Sequence, residues 1–263
     1  MYLSGFAQFS PQRRNVPANC AVLSALLEGV RADLLVLPEL ANSGYWYRNP
    51  ADLAPYAEPA DGSGPFLRLL CTLARKVGGV IVSGFSESAA SGLYNSAVAV
   101  DASGVLQVYR KTHLFADEKL LFCPGDTGFR SFVHRGVQIG LMICFDWYFP
   151  ESMRTLALHG AQIVAHTANL VLPHCQTAMV TRCLENRVFG LTCNRYGEES
   201  LDGDTLRFTG ASQLVDPLGK VISAAPVSGD CVAVCEIDPD PALNKRLGAR
   251  NDLFADRRPE FYA

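Results

Sequence analysis

Short apolar runs alternate along this chain with longer stretches in which apolar positions recur every three or four residues. Residues 3–9 read as a first strand. Asn15 and Pro17 then open an amphipathic helix that carries Val22, Leu23, Leu26, Leu27 and Val30 at helical spacing. Residues 33–37 form a continuous apolar strand, and a loop rich in Gly, Pro and aromatics follows from 41 to about 62. Ser63 and Pro65 start a second helix with Phe66, Leu69, Leu70 and Leu73 inward, and Gly78-Gly79 ends it, as helix C-termini prefer. Residues 80–85, 93–100 and 105–109 predict successive strands, with Asp101-Ala102-Ser103-Gly104 as a hairpin turn before the third.

After an irregular stretch, residues 137–144 predict a strand, 150–158 a helix closed by Gly160, 163–166 a strand, 176–189 a helix and 191–193 a strand. The C-terminal part is mostly strand, at 211–215, 221–223 and 231–237, with Pro217-Leu218-Gly219 turning between the first two. Strand–helix–strand units mixed with hairpins imply α/β sheets covered by helices. A simple doubly wound sheet fits less well, because hairpins demand antiparallel neighbours. No repeat, low-complexity tract or linker divides the chain, so the expectation is a single domain over 1–263.

Composition narrows the partners. Hydrophobic residues make up 49% of the 263, ample for a core, and the net charge of −3 offers no basic field for nucleic acid or a membrane surface. No apolar run approaches the roughly 20 residues of a membrane span. The N-terminus lacks a basic segment before an apolar one, since Gln8, Ser10 and Pro11 interrupt it. Nine cysteines in a chain without an export signal read as reduced thiols, which points to the cytoplasm. A small, weakly charged molecule is the expected partner.

Three residues stand where their chemistry is unusual. In Leu37-Pro38-Glu39 an apolar strand delivers a glutamate past its C-terminal end, the edge where open α/β sheets keep their ligand sites. Lys111 follows another apolar strand, and Cys144 ends a third just before a helix. Each has an ordinary explanation: a surface glutamate, a solvated lysine, a core cysteine. A buried Lys111 would need a partner, for which Glu39 and Glu118 are available. Together a carboxylate, an ammonium and a thiol at three strand ends can meet at one sheet edge, where the acid takes the thiol proton, the cation stabilises an oxyanion and the sulfur attacks. The helix start beyond Cys144 is expected to lower its thiol pKa.

At these segments the sequence resembles the nitrilase, or carbon–nitrogen hydrolase, superfamily: LPE at 37–39, YRKTHLF at 109–115 and CFDWYFPE at 144–151, supported by FCPGD at 122–126, RCLENR at 182–187 and FTGASQLVDPLGKV at 208–221. The likeness spans nearly the whole chain in order, and is greatest to short prokaryotic nitrilase-like amidohydrolases. It implies a four-layer αββα sandwich of two mixed sheets covered by helices. It implies Glu39 as general base, Lys111 as catalytic lysine and Cys144 as nucleophile, with Glu118 positioning the substrate or the lysine and the Phe145 N–H completing an oxyanion hole. A homodimer or higher homo-oligomer follows from the same likeness, with the tail at about 238–263 a candidate for its contacts. No cofactor or metal is implied. Tyr45, Trp147 and Asn169, in loops after strands, are candidate substrate contacts, each with packing or turn formation as the alternative. Asp146 and Asn186 match recurrent positions and read as structural hydrogen-bonders. The implied activity is hydrolysis of a non-peptide C–N bond in an amide or carbamoyl compound through a cysteine thioester, with nitrile hydrolysis on the same three residues as the alternative.

Other classes fit less well. No CxxC pair exists for zinc, Cys231 and Cys235 fall on one face of an alternating strand, and His166, His174 and Cys175 lack a fourth ligand. Neither GxGxxG nor GxxxxGK[ST] is present for a nucleotide. A silent binding protein on the same fold is the non-enzyme alternative, since a fold guarantees no activity.

Overall fold

The computed structural model describes residues 1–262. Strand β1 (Tyr2–Gln8) leads to helix α1 (Val16–Leu26), whose N-cap Asn15 accepts from the Ala18 N–H, and then to β2 (Leu34–Val36). The aromatic loop that follows holds a short helix, α2 (Pro50–Leu53), before α3 (Pro65–Val77). Proline opens α3, and Gly78 closes it in the left-handed region at φ 85°. Strands β3 (Val80–Ala89), β4 (Gly92–Asp101) and β5 (Gly104–Arg110) form a meander that leads into the short helix α4 (Glu118–Leu121).

The second half begins with a hairpin, β6 (Ser131–His134) and β7 (Val137–Ile143), followed by α5 (Pro150–Leu158), β8 (Ile163–Ala168), α6 (Cys175–Asn186) and β9 (Phe189–Asn194). A second hairpin, β10 (Tyr196–Leu201) and β11 (Asp204–Thr209), precedes β12 (Gln213–Val215), β13 (Val221–Ala224) and β14 (Cys231–Ile237).

Twelve of these strands make two six-stranded sheets, ordered β14-β1-β2-β3-β4-β5 and β13-β12-β9-β8-β7-β6. Both are mixed in the same way. Parallel pairs at the centre (β1–β2–β3 and β7–β8–β9) are flanked by antiparallel ones. Alternation in β2 explains the layering: Leu34 and Val36 face the second sheet, while Leu35 and Leu37 face α1 and α3. Helix α3 buries Phe66, Leu67, Leu70, Leu73, Ala74 and Val77 there, about 1.5–3 kcal/mol for each large side chain. On the other side α5 and α6 cover the second sheet through Met153, Leu156, Met179 and Cys183. The result is helix, sheet, sheet, helix.

Several boundaries differ from the sequence reading. Strand β3 continues to Ala89, because Ser86, Glu87 and Ser88 stay paired with Asn95, Tyr94 and Leu93. The hairpins β6–β7 and β10–β11 contain strands that the periodicity did not predict. Helix α6 stops at Asn186, where Arg187 turns left-handed at φ 51°, and the apolar residues Val188 and Phe189 lead into the sheet. The strand expected at 211–215 begins only at Gln213, after Ala211 at φ 53°. Beyond Ile237 the chain runs in short turns; Phe254 packs on the core, and residue 263 of the expected tail lies outside the described residues.

Candidate active site

Glu39 follows β2 at a tight turn onto β3. The Pro38 carbonyl accepts from the Gly84 N–H, and the Gly84 carbonyl accepts from the Ala41 N–H. Gly84 is required for that approach: a Cβ there would lie 2.4 Å from the Glu39 Cα. Lys111 leaves β5 with its N–H on the Asn95 carbonyl and its carbonyl on the Gly125 N–H, which belongs to the FCPGD segment. Cys144 leaves β7 at φ 39°, the left-handed region where a non-glycine residue stores about 1–3 kcal/mol of strain, and begins a 3-10 turn over Cys144–Tyr148.

These turns bring the three charged side chains into direct contact. Lys111 Nζ lies 2.8 Å from Glu39 Oε1 and 2.8 Å from both oxygens of Glu118. Asn95 Nδ2 donates to the same Glu39 oxygen at 2.7 Å. Glu118 also accepts from the Tyr45 hydroxyl at 2.9 Å and from the Phe115 N–H at 3.1 Å. The other oxygen of Glu39, Oε2, is buried and has no partner among the described residues. Glu39, Lys111 and Glu118 are 0%, 1% and 2% exposed, whereas Cys144 keeps 6% and opens onto a cleft.

Electrostatics tie the sulfur to this cluster. Burial pushes the Cys144 thiol well up; the Glu39 and Glu118 charges add to that, and Lys111 and a hydrogen bond from the Asn169 backbone pull the other way. The expectation of a lowered thiol pKa is therefore corrected: depth of burial and two carboxylates outweigh the short turn beyond Cys144. Burial pulls the Lys111 ammonium down, but Glu118 and Glu39 outweigh it and hold it above its ordinary value. Burial, with Glu39, raises the Glu118 carboxyl against the pull of Lys111.

The cleft has about 270 Å³ of empty space and is lined by Phe115, Cys144, Phe145, Trp147, Asn169 and the run Leu170-Val171-Leu172. It holds no charged side chain besides what Cys144 can become. Trp147 and Asn169, expected as substrate contacts, both line this cleft. Both side-chain polar atoms of Asn169, a residue 2% exposed, have no partner among the described residues. Tyr45 borders an adjoining cavity that shares Phe115 and Val171 with the first, and its hydroxyl is committed to Glu118. Phe145 also lines the cleft, and its ring packs edge-on against Phe115 with centroids 5.0 Å apart.

Three supports, Asn95, Glu199 and His113, had no role in the sequence reading, and a fourth, His166, entered it only as a rejected zinc ligand. Asn95 holds Glu39; its signal is a polar residue on the inward face of β4, in phase with the buried Ala97 and Ala99. The β10–β11 hairpin delivers Glu199, which accepts from the Tyr45 and Trp46 N–H groups and pairs with the buried Arg195. His113 packs flat on Phe149 with its ring nitrogen on Asp146. His166 lies under Cys144. Asp146 binds the Ile143 N–H, the Tyr109 hydroxyl and His113, so it ties the cysteine turn to the lysine loop. Asn186 donates to the Arg182 carbonyl within α6. Among the described residues no three His, Cys, Asp or Glu side chains group as a metal site.

A carboxylate, an ammonium and a thiol sharing one buried site equip it for acyl transfer. The sequence model of the carbon-nitrogen hydrolase family matches residues 7–242. This chain belongs to that family. As a carbon-nitrogen hydrolase of the amidase or nitrilase type, it is 42% identical over 260 residues to a nitrilase of Pyrococcus abyssi, an alignment covering 98% of this chain and 97% of that protein. It is 40% identical over 231 residues to an (R)-stereoselective amidase of Pseudomonas sp., covering 86% and 80%. Its fold matches the crystal structure of a carbon-nitrogen hydrolase from Helicobacter pylori G27 with a TM-score of 0.85 at 26% identity, over 99% of this chain and 97% of that one. The hydrolase carries no helix long and apolar enough to cross a membrane among its described residues.

Proposed function

We propose that this hydrolase cleaves the C–N bond of a small, weakly charged amide or carbamoyl compound, with Cys144 as nucleophile, Glu39 as base, and Lys111 and the Phe145 N–H as oxyanion donors. The observation that carries the reading is the Glu39 carboxylate. One oxygen is fixed by Lys111 and Asn95, the other is buried without a partner among the described residues, and the Glu39 charge acts on a Cys144 thiol that opens onto the cleft. Because the thiol is held high, the sulfur gives its proton to Glu39 as it adds to the carbonyl carbon, with no standing thiolate. Collapse of the tetrahedral species expels ammonia or an amine that carries that proton and leaves a thioester on Cys144. Glu39 then takes a proton from water, the hydroxide adds, and the acid leaves as Cys144 regains its proton. These steps balance without a metal or organic cofactor.

The uncharged lining of the cleft supports a neutral substrate. Asn169 favours an amide over a nitrile: its free donor and acceptor together match a carboxamide, whereas a nitrile nitrogen only accepts. The nitrile reading keeps its weight from the Pyrococcus relative, with a thioimidate preceding the same thioester. Ammonia release from small aliphatic amides, ω-amides, ureido acids and nitriles is expected to be fastest with neutral amides. Preference for large cationic compounds would overturn the substrate reading, and binding without turnover across the panel would favour a silent binding protein.

In the same reading the chain works in the cytoplasm as a homodimer or higher homo-oligomer. Nine unpaired thiols support the compartment, and a count below nine under denaturant would oppose it. Exposed Leu158 and Leu184 on the outer helices and Leu243, Leu247, Phe261 and Tyr262 in the tail support association. Sedimentation is expected to give at least twice the monomer mass at micromolar concentration, and a monomer there would remove this assignment.

A further inference from the structure

We propose that His166 is a positioning residue that aims the oxyanion hole. It sits fully buried in β8 between Met142 of β7 and Thr192 of β9. Its Nε2 lies 3.0 Å from the Cys144 carbonyl oxygen and its Nδ1 lies 3.1 Å from the Thr192 hydroxyl. A carbonyl can only accept, so Nε2 carries the proton, and Nδ1 then accepts from Thr192. Burial holds the ring below its ordinary pKa, which keeps it neutral with one proton to place.

The consequence lies in the next atoms of the chain. The Cys144 carbonyl and the Phe145 N–H belong to one peptide group, planar and trans, so they point in opposite directions. His166 does not line the cleft, whereas Cys144 and Phe145 do. Tethering the carbonyl to His166 on the interior side therefore turns the Phe145 N–H outward, toward the sulfur's target. The tether also holds the left-handed backbone of Cys144, which a free chain would relax. His166 touches neither sulfur nor substrate, and its effect on the reaction runs through the orientation of one peptide plane. This inference rests on the Phe145 N–H being an oxyanion donor, as in the proposed function.

The test separates acylation from alkylation at the same sulfur. Amide hydrolysis builds an oxyanion, whereas attack on iodoacetamide at its CH2 carbon displaces iodide and builds none. His166→Leu is expected to lower kcat for the best amide about 100-fold, the usual scale for losing an oxyanion donor, with KM within about threefold. Its rate of Cys144 alkylation by iodoacetamide should stay within about threefold of wild type, because no oxyanion donor is involved. His166→Gln, which can return an N–H at similar reach, should recover most of the kcat. Should the leucine variant not fold, Thr192→Val applies the same split by removing the donor to Nδ1. Unchanged kcat, or parallel loss of turnover and alkylation that glutamine does not rescue, would overturn the role of His166. Full turnover by Cys144→Ala would instead overturn the proposed function's assignment of Cys144 as nucleophile.

Discussion

Lys111→Ala is expected to unfold about 3–5 kcal/mol more easily than the wild type and to lose at least about 100-fold in kcat, because it removes the partner of two buried carboxylates and, in the proposed function, an oxyanion donor. In the intact protein one ammonium serves Glu39 and Glu118 at 2.8 Å each, all three nearly sealed from water. Without it two carboxylates face one another in the interior. Burial and Glu39 already raise the Glu118 carboxyl above its reference of 4.5, and losing the lysine raises it further. A carboxyl raised in the folded state stabilises most below its unfolded pKa, and that contribution fades as pH climbs through the folded value. The deficit of the variant should therefore widen from pH 5 to pH 8. Urea unfolding at both values measures it. Equal deficits at the two pH values, or near-normal turnover, would show that Lys111 does not hold the two acids together.

What was legible beforehand, and what was not, follows from where the signal resides. Glu39, Lys111 and Cys144 each end an apolar strand, so local contrast exposes them, but the expectation of one shared sheet edge is corrected: β2 and β5 lie in the first sheet and β7 in the second, so strand ends of two stacked sheets supply the site. The layering was legible in the same way, since strands such as 80–85 and helices such as 63–77 carry clean periods. The β10–β11 hairpin was not. Glu198, Glu199 and Ser200 offer no apolar alternation, although Asp202-Gly203, both at positive φ, is a hairpin turn in its own right. The end of α6 was hidden because Val188 and Phe189 prolong the helical apolar pattern, while the deciding event is a left-handed Arg187. Asn95 reads as an isolated polar residue in a strand, and His166 as a poor zinc candidate beside His174 and Cys175. Their partners, Glu39 and the Cys144 carbonyl, lie 56 and 22 residues away. The thiol's direction was misjudged for the same reason: a local argument about one turn cannot weigh burial and carboxylates delivered by other strands.

Glu39→Gln isolates the proposed base from the scaffold around it. The amide oxygen can still accept from Lys111 and Asn95, so the fold should keep most of its stability, in contrast to the lysine variant. What is lost is the free oxygen, Oε2, where a proton from sulfur or water would land. Proton transfer by a placed base is worth about 10²–10⁴-fold, and in the proposed function both half-reactions draw on Glu39, so kcat should fall by about 10³ or more. The raised thiol makes the first half the more sensitive, because the sulfur has no standing thiolate with which to begin. Intact-protein mass spectrometry during turnover should then find little acyl-enzyme, since formation and hydrolysis are both slowed. A variant that acylates at the wild-type rate and accumulates thioester would mean that another group, with Glu118 the nearest candidate, takes the sulfur's proton. Wild-type turnover would remove Glu39 from the chemistry altogether.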